Sequence, residues 1–399
     1  MKKLLYAIAI SAIAFTGCSK DDDETPTRVP VVGEITGDIT ANRTLAYGNY
    51  TLKGMVKIQP GVTLTIEKGS TITADKSSGE NGLVVLKNGT LIANGTADEP
   101  IVFTAKDKTS GQWAGIIMYG DAPIVGAAGV ATAVSEDGLT QTYGGSNASH
   151  SSGSLKYVRV EYAGLVINSN TKEHNGFSFY AVGSGTTLEN LVSYKGNDDG
   201  FEFYGGTASG KNLISYGNTD DSFDWQDGWR GQENTNWFAY QTGIANYGVE
   251  VEAKSVNNTF WPKVTNITLK RAAGTKTEAD SEKQYDAFQF KSQGNGDFSN
   301  IVIDGFASVE TGFGSAVQIR DLSTYTDQVV AGKIKLTNVK VTNTPVLFLS
   351  QNSGGVFTVN AASFGTGGVN WSTSTTATGA ALTKGKWANV DGLDLLANL

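Results

Sequence analysis

Two stretches of this chain are near copies of each other, set 22 residues apart. Asn190-Leu-Val-Ser-Tyr194, followed by Asp198-Asp199-Gly200-Phe201-Glu202-Phe203, returns as Asn212-Leu-Ile-Ser-Tyr216, followed by Asp220-Asp221-Ser222-Phe223-Asp224-Trp225. The repeat alternates apolar and polar residues and is rich in β-branched and aromatic side chains. A helical array would space its apolar residues by roughly three to four instead. The pattern calls for an all-β solenoid in which one repeat is one coil and stacked coils bury each other's apolar faces.

The period extends in both directions. Asparagine opens an apolar run at Asn190, Asn212, Asn236, Asn266, Asn300 and Asn338, with spacings of 22, 24, 30, 34 and 38. Asparagine tolerates a left-handed turn, and its amide can bond to the same residue one coil away, so the series predicts an asparagine ladder. A second series runs through Phe177-Ser-Phe179, Phe201-Glu-Phe203, Phe223-Asp-Trp225, Val249-Glu-Val251, Phe288-Gln-Phe290, Val317-Gln-Ile319 and Leu347-Phe-Leu349. Alternation along a strand turns the flanking pair inward and the middle residue outward, with Phe348 the exception to the polar-out rule. Earlier coils keep the alternation without the ladder, as in Val62-Thr-Leu-Thr-Ile66.

Ladder, coil length and strand pairs together resemble the right-handed parallel β-helix of pectin-lyase-like proteins. The segments 155–164 and 198–206 are also similar to those of surface β-helix lipoproteins of Bacteroidota. The expected fold is a single-stranded parallel solenoid of about a dozen coils over residues 31–350. A Gly/Ser/Thr-rich tail over 351–399 would end in a cap near Trp387, because an open solenoid end is an aggregation edge.

The N-terminus speaks to address. Lys2 and Lys3 precede an apolar run over residues 4–15, which is of signal-peptide length and too short for a permanent span. It closes on Phe15-Thr-Gly-Cys18, which resembles a bacterial lipobox with Phe15 in place of the usual leucine. That resemblance implies a signal peptide over residues 1–17 and a lipidated Cys18. Residues 18–30 then form a linker whose Asp21-Asp-Asp-Glu24 run resembles the export signal of surface lipoproteins. The expected location is the outer membrane, lipid-anchored and facing outward. Cys18 is the only cysteine, so the chain forms no internal disulfide. A net charge of −8 makes nucleic acid a poor partner, and the expected state is a monomer.

Chemistry should concentrate on the repeated coils. Glu202, Asp224 and Glu250 share one outward strand position, and Asp198 with Asp220 forms a neighbouring column. Stacked carboxylates about 5 Å apart raise each other's pKa, recruit Lys or Arg, or bind a hard cation such as Ca2+. The candidate metal ligands are therefore Asp198, Asp220, Glu202 and Asp224. Asp199 and Asp221 have inward parity and fit a role as acceptors of backbone N–H groups. His174 aligns one coil before Asp198, so His174, Asp198, Asp220 and Asp224 form the candidate catalytic set.

Trp229 and Arg230 follow these coils in a loop where an aromatic plane beside carboxylates suits sugar stacking. With Glu202 and Glu250 they make the candidate ligand surface. The aspartates resemble those of polygalacturonase-like hydrolases, but neither a Gly-His-Gly nor an Arg-Ile-Lys motif is present. Three function classes stay open. They are a surface protein binding an extended polysaccharide, a polysaccharide lyase or glycoside hydrolase, and an adhesin or structural rod with protein partners. The Gly/Ala/Ser-rich segment 121–154 is the longest loop.

Overall fold

A computed structural model describes residues 28–125, 130–167, 172–254, 258–278, 283–307 and 313–399. The expected signal peptide, Cys18 and the acidic run lie outside these residues. No helix among the described residues is long and apolar enough to cross a membrane.

The chain winds as a parallel β-helix. Two parallel sheets run its length: a long sheet whose main path has twelve strands, and a second sheet of ten. Twelve strands at about 4.8 Å per step make a stack of roughly 50 Å. Strand partners follow the sequence repeat, with Phe201, Phe223 and Val249 paired in turn, as are Leu191, Leu213 and Trp237. One continuous apolar core fills the interior, and rings stack along it, as in Phe177 on Phe201 at 4.9 Å and Phe201 on Phe223 at 5.7 Å.

The asparagine ladder forms within the long-sheet strands, where the strand pairing skips one residue per coil. Asn212 donates to Asn190, Asn236 to Asn212, Asn266 to Asn236, Asn300 to Asn266 and Asn338 to Asn300, at 2.8–3.2 Å. All six sit at φ between 55° and 61°. That left-handed backbone turns each coil in place, at a cost asparagine bears better than other side-chain-bearing residues.

Three expectations shift. The last strand of the second sheet is Phe348–Ser353, with Phe348 opposite Val317 and Leu349 opposite Gln318. The register is one residue later than the repeat predicts, so Phe348 turns inward onto Phe364 and Trp371 while Leu347 is left exposed. A one-residue slip exchanges the two faces, and here it places the aromatic ring in the core. Parallel pairing also continues past residue 350, because Trp371–Thr373 adds a strand against Ile334–Thr342.

The remaining tail does not cap the C-terminal end. It runs back along the outside of the long sheet, bonding Asn300 through Thr378 and Thr268 through Ala380. It then reaches Ala97 through the Trp387 N–H at 3.1 Å. Arg159 fastens it by donating to the carbonyls of Lys386 and Asn389, both at 2.9 Å. The strap covers apolar and polar sheet surface together, which is why its sequence reads as low-complexity tail.

Residues 130–143 of the long loop pack onto the outer face of the second sheet. Its hairpin, Ala133–Val134 against Thr142–Tyr143, closes a small separate core with Tyr119, Tyr180 and Tyr204. Tyr180 and Tyr204 stack at 3.9 Å, and Tyr143 leans on Tyr180 at 5.0 Å.

Candidate functional site

Two places on the solenoid could carry chemistry. The first is the acidic patch predicted from the repeat. Glu202, Asp224 and Glu250 pair in register on the second sheet, and Gln289 and Gln318 continue the column. The turns before these strands bring in Asp198, Asp199, Asp220 and Asp221. The column points out of the core as alternation requires, yet it is not an open face. Glu202 is 5% exposed, covered by Asn175, Gln226 and the Tyr204 hydroxyl, all three of which donate to it. The hairpin segment reaches over it, with Gln226 Nε2 donating to Glu136 Oε1 at 3.2 Å and Tyr143 OH to Asp227 Oδ2 at 2.5 Å.

Burial and mutual repulsion dominate the electrostatics here. Asp198, Asp199, Asp221 and Asp224 are all pushed well above the usual carboxylate range by desolvation first and neighbouring carboxylates second. Burial pushes Glu202 and Asp220 up to about 7. Asp199 and Asp221 do accept backbone N–H bonds as their parity implied, from Asp221 at 2.9 Å and Tyr247 at 2.6 Å. Glu173 and Glu278 also act on Asp198, two acidic neighbours outside the carboxylate columns.

Several predicted roles change. His174 keeps its sequence alignment with Asp198 but does not join the carboxylates. It is 5% exposed, Asp137 of the covering segment is its charged neighbour, and desolvation lowers its pKa to about 4. A neutral imidazole with a buried, unbonded Nδ1 is poorly placed to exchange protons with a ligand.

Asp198, Asp220 and Asp224 are brought together and are half-buried, beside the buried Asp199 and Glu202. Glu250 is ion-paired with Lys291, which also holds Glu252 at 3.2 Å, so it offers no ligand surface. Trp229 belongs to the core. It is 1% exposed, stacks on Phe203 at 4.4 Å, and gives its indole N–H to the Ala208 carbonyl at 3.0 Å. Its loop turns it inward because Trp225, Trp237 and Phe203 leave an aromatic-sized space beside them.

The second place is open. An 850 Å³ groove runs along the edge of the long sheet, across strands that contribute Glu189, Lys211, Glu233, Lys263, Asp297 and Lys335. These belong to six successive coils, so the groove extends over roughly 24 Å. Its wall on the loop side is Arg230, Phe260 and Trp261. The Arg230 guanidinium lies 3.7 Å over the Phe260 ring, its Nε donates to the Gly228 carbonyl, and one terminal nitrogen is buried without a partner.

The lining holds four cationic side chains, Lys211, Arg230, Lys263 and Lys335, against three anionic ones. Lys211 pairs with Glu233 at 3.0 Å, and Lys156 pairs with Glu189 from outside the groove at 3.3 Å. Of the predicted ligand residues, only Arg230 lies here. Phe260 and Trp261 were missed because they sit in a loop that breaks the period, and the strand-end lysines because they alternate in register with Glu189 and Asp297 instead of forming a column of one charge.

A parallel solenoid with a lengthwise groove and a covered acidic patch defines a β-helix protein of the pectate-lyase kind. Residues 37–389 match the family described as pectate-lyase like beta helix domain, and the chain belongs to it. No curated protein matches the chain in sequence. Among solved structures, the iota-carrageenase of family GH82 from A. fortis, crystallised in absence of chloride ions, is similar at 12% identity and a TM-score of 0.32. The similarity covers 89% of this chain and 99% of that one.

Proposed function

We propose that this is a non-catalytic surface protein that holds an extended, acidic polysaccharide in the groove along the long sheet. The observation that carries the reading is the wall made by Arg230, Phe260 and Trp261 over a floor of strand-end lysines. Aromatic rings beside polar strand ends suit sugar faces and hydroxyls, and a half-buried guanidinium with an unbonded nitrogen suits a carboxylate or sulfate. The groove's length favours a polymer over a single sugar. Membership of a pectate-lyase-like family agrees with a polysaccharide ligand. In this reading Cys18 carries the lipid, the acidic linker spaces the solenoid from the outer membrane, and the chain acts as a monomer.

The test mixes residues 28–399 with neutral and acidic polysaccharides and follows co-elution and polymer length. Co-elution of an acidic polymer at unchanged length, weakened about tenfold or more by Trp261→Ala, supports the proposal. Shortening of the polymer would make the protein a lyase or hydrolase. Retention of neither polymer type would leave the adhesin class. Cys18→Ala should release the full chain from the membrane fraction.

A further inference from the structure

The groove floor carries more than its lysines. On the groove side, each strand of the long sheet starts with one charged side chain, and the sign changes at every coil. Lys156 pairs in register with Glu189 and Glu189 with Lys211; further along, Lys263 pairs with Asp297 and Asp297 with Lys335. Glu233 joins the two runs. It stands one residue before the Asn234–Val264 pair, level with Lys263, and is ion-paired to Lys211 at 3.0 Å. From Lys156 to Lys335 the coils therefore read plus, minus, plus, minus, plus, minus, plus.

Coils rise by about 4.8 Å, so cations recur roughly every 9.6 Å, with a carboxylate midway between them. The first four charges pair off within the protein, Lys156 with Glu189 at 3.3 Å and Lys211 with Glu233. The last three do not. Among the described residues, the side chains of Lys263, Asp297 and Lys335 make no hydrogen bond or ion pair, and all three line the groove.

The loop wall adds an independent sign that an anion is received here. Arg230 is half-buried, and among the described residues no carboxylate offsets the burial that lowers its pKa. Its unbonded nitrogen needs an acceptor that the protein does not supply.

A sugar in an extended chain advances by close to one coil step, so a glycan along the floor sets one sugar over each coil. Over a lysine, a sugar carboxylate or sulfate forms a charge-assisted hydrogen bond. Over Glu189, Glu233 or Asp297 the same group meets a like charge. A neutral sugar has the opposite fit, because its hydroxyls donate and a carboxylate only accepts. A polymer charged at every sugar therefore sets half its anions against carboxylates however it is shifted. One charged at every second sugar can set all of them on cations.

We propose that the groove selects glycans built from a disaccharide of one anionic and one neutral sugar, and rejects polyuronates charged at every sugar. Asp297, the carboxylate of the floor with no partner in the protein, does most of the rejecting. The inference rests on the reading of the groove as an acidic-glycan site.

The test measures, by calorimetry at one ionic strength, the binding of three hexasaccharides matched in length to the six groove coils. They are a hyaluronan fragment with a carboxylate on alternate sugars, an oligogalacturonate with one on each, and neutral cellohexaose. The hyaluronan fragment should bind about tenfold more tightly than the oligogalacturonate. Asp297→Asn should narrow that ratio several-fold by relieving the oligogalacturonate, and Glu189→Gln should narrow it less because Lys156 already offsets Glu189. Equal or tighter binding of the oligogalacturonate overturns the inference and leaves the acidic-glycan reading standing. A preference that survives Asp297→Asn unchanged also overturns it, since the registered charges would then not be what discriminates. Failure of both acidic fragments to bind overturns the reading of the groove itself, and the inference with it.

Discussion

The acidic patch and the groove lie on different faces of the same coils and invert what their sequences suggest. The patch is the most conspicuous chemistry in the chain, with carboxylates at successive repeat positions, and it is roofed over. The groove joins registered strand residues of mixed charge to loop residues that lie outside the period, and it is open. The difference has a mechanical origin. Strand residues are held in register by the ladder and the core, so whatever they carry is repeated and stacked. Loops between the sheets are free to vary, so they supply the one-off arrangement of Arg230, Phe260 and Trp261 that a ligand site requires.

The sharpest way to break this contrast is at Trp229, which the sequence groups with Arg230 and the structure places in the core. Trp229→Ala should cost about 3–5 kcal/mol of stability, since it empties an aromatic site walled by Phe203, Trp225 and Trp237. Urea unfolding measures it. Unchanged stability with lost glycan binding would return Trp229 to the ligand surface and erase the division drawn here.

That residue also marks the limit of what the repeat makes legible. The coil, every rung of the ladder and the strand series as far as Val317–Ile319 can be read from spacing, because a solenoid repeats its backbone geometry along with its sequence. Parity then separates core from outer face, and it places Glu202, Asp224 and Glu250 correctly. It does not reveal what covers the outer face. Segment 121–154 reads only as the longest loop, yet it reaches over Glu202 and His174 through Glu136, Asp137 and Tyr143, contacts that cross up to 90 residues of sequence. Trp229 next to Arg230 shows the same limit within one loop, where adjacent residues point to opposite environments.

A ladder rung should matter less than Trp229 and should affect both faces alike. Asn236 donates to Asn212, accepts from Asn266 and from the strap at Ala381, and sits at φ 58°. Asn236→Ala loses these bonds and strains the left-handed turn, so a cost of about 1–3 kcal/mol is expected. Asn190, which accepts at the end of the described rungs, should cost less on the same change. Equal losses at the two positions in thermal unfolding would mean that the ladder contributes rung by rung through backbone conformation alone.

The groove and the patch should separate again under salt. Groove binding through Arg230 and the lysines is exposed electrostatics, so raising ionic strength from about 0.05 to 0.5 M should weaken acidic glycan binding several-fold. Stability of the covered patch should change little over the same range. A salt-insensitive glycan affinity would point to stacking on Phe260 and Trp261 as the whole of the interaction.

The smallest net effect is in pH, where two buried groups of opposite type give opposite slopes that largely cancel. His174 titrates near 4 when folded, below its ordinary value of 6.5, because burial disfavours the imidazolium. The unfolded chain then binds more protons between pH 4 and 6.5, so His174 makes stability fall as pH drops through that window. Asp286 is pushed up to about 7 from 3.8 by burial, with Ser315 and Arg271 opposing the rise. Here the folded chain holds the extra proton, so stability falls as pH rises from about 4 to 7. His174→Gln should flatten the acid-side loss by at most about 1.4 kcal/mol per pH unit, and Asp286→Asn should flatten the opposite slope by a similar amount. Chemical denaturation at pH 4.5, 5.5 and 6.5 separates the two. If His174→Gln left the acid-side slope unchanged, His174 would be charged in the folded protein, and a protonated imidazole facing Asp137 would mean that the covering segment opens to water.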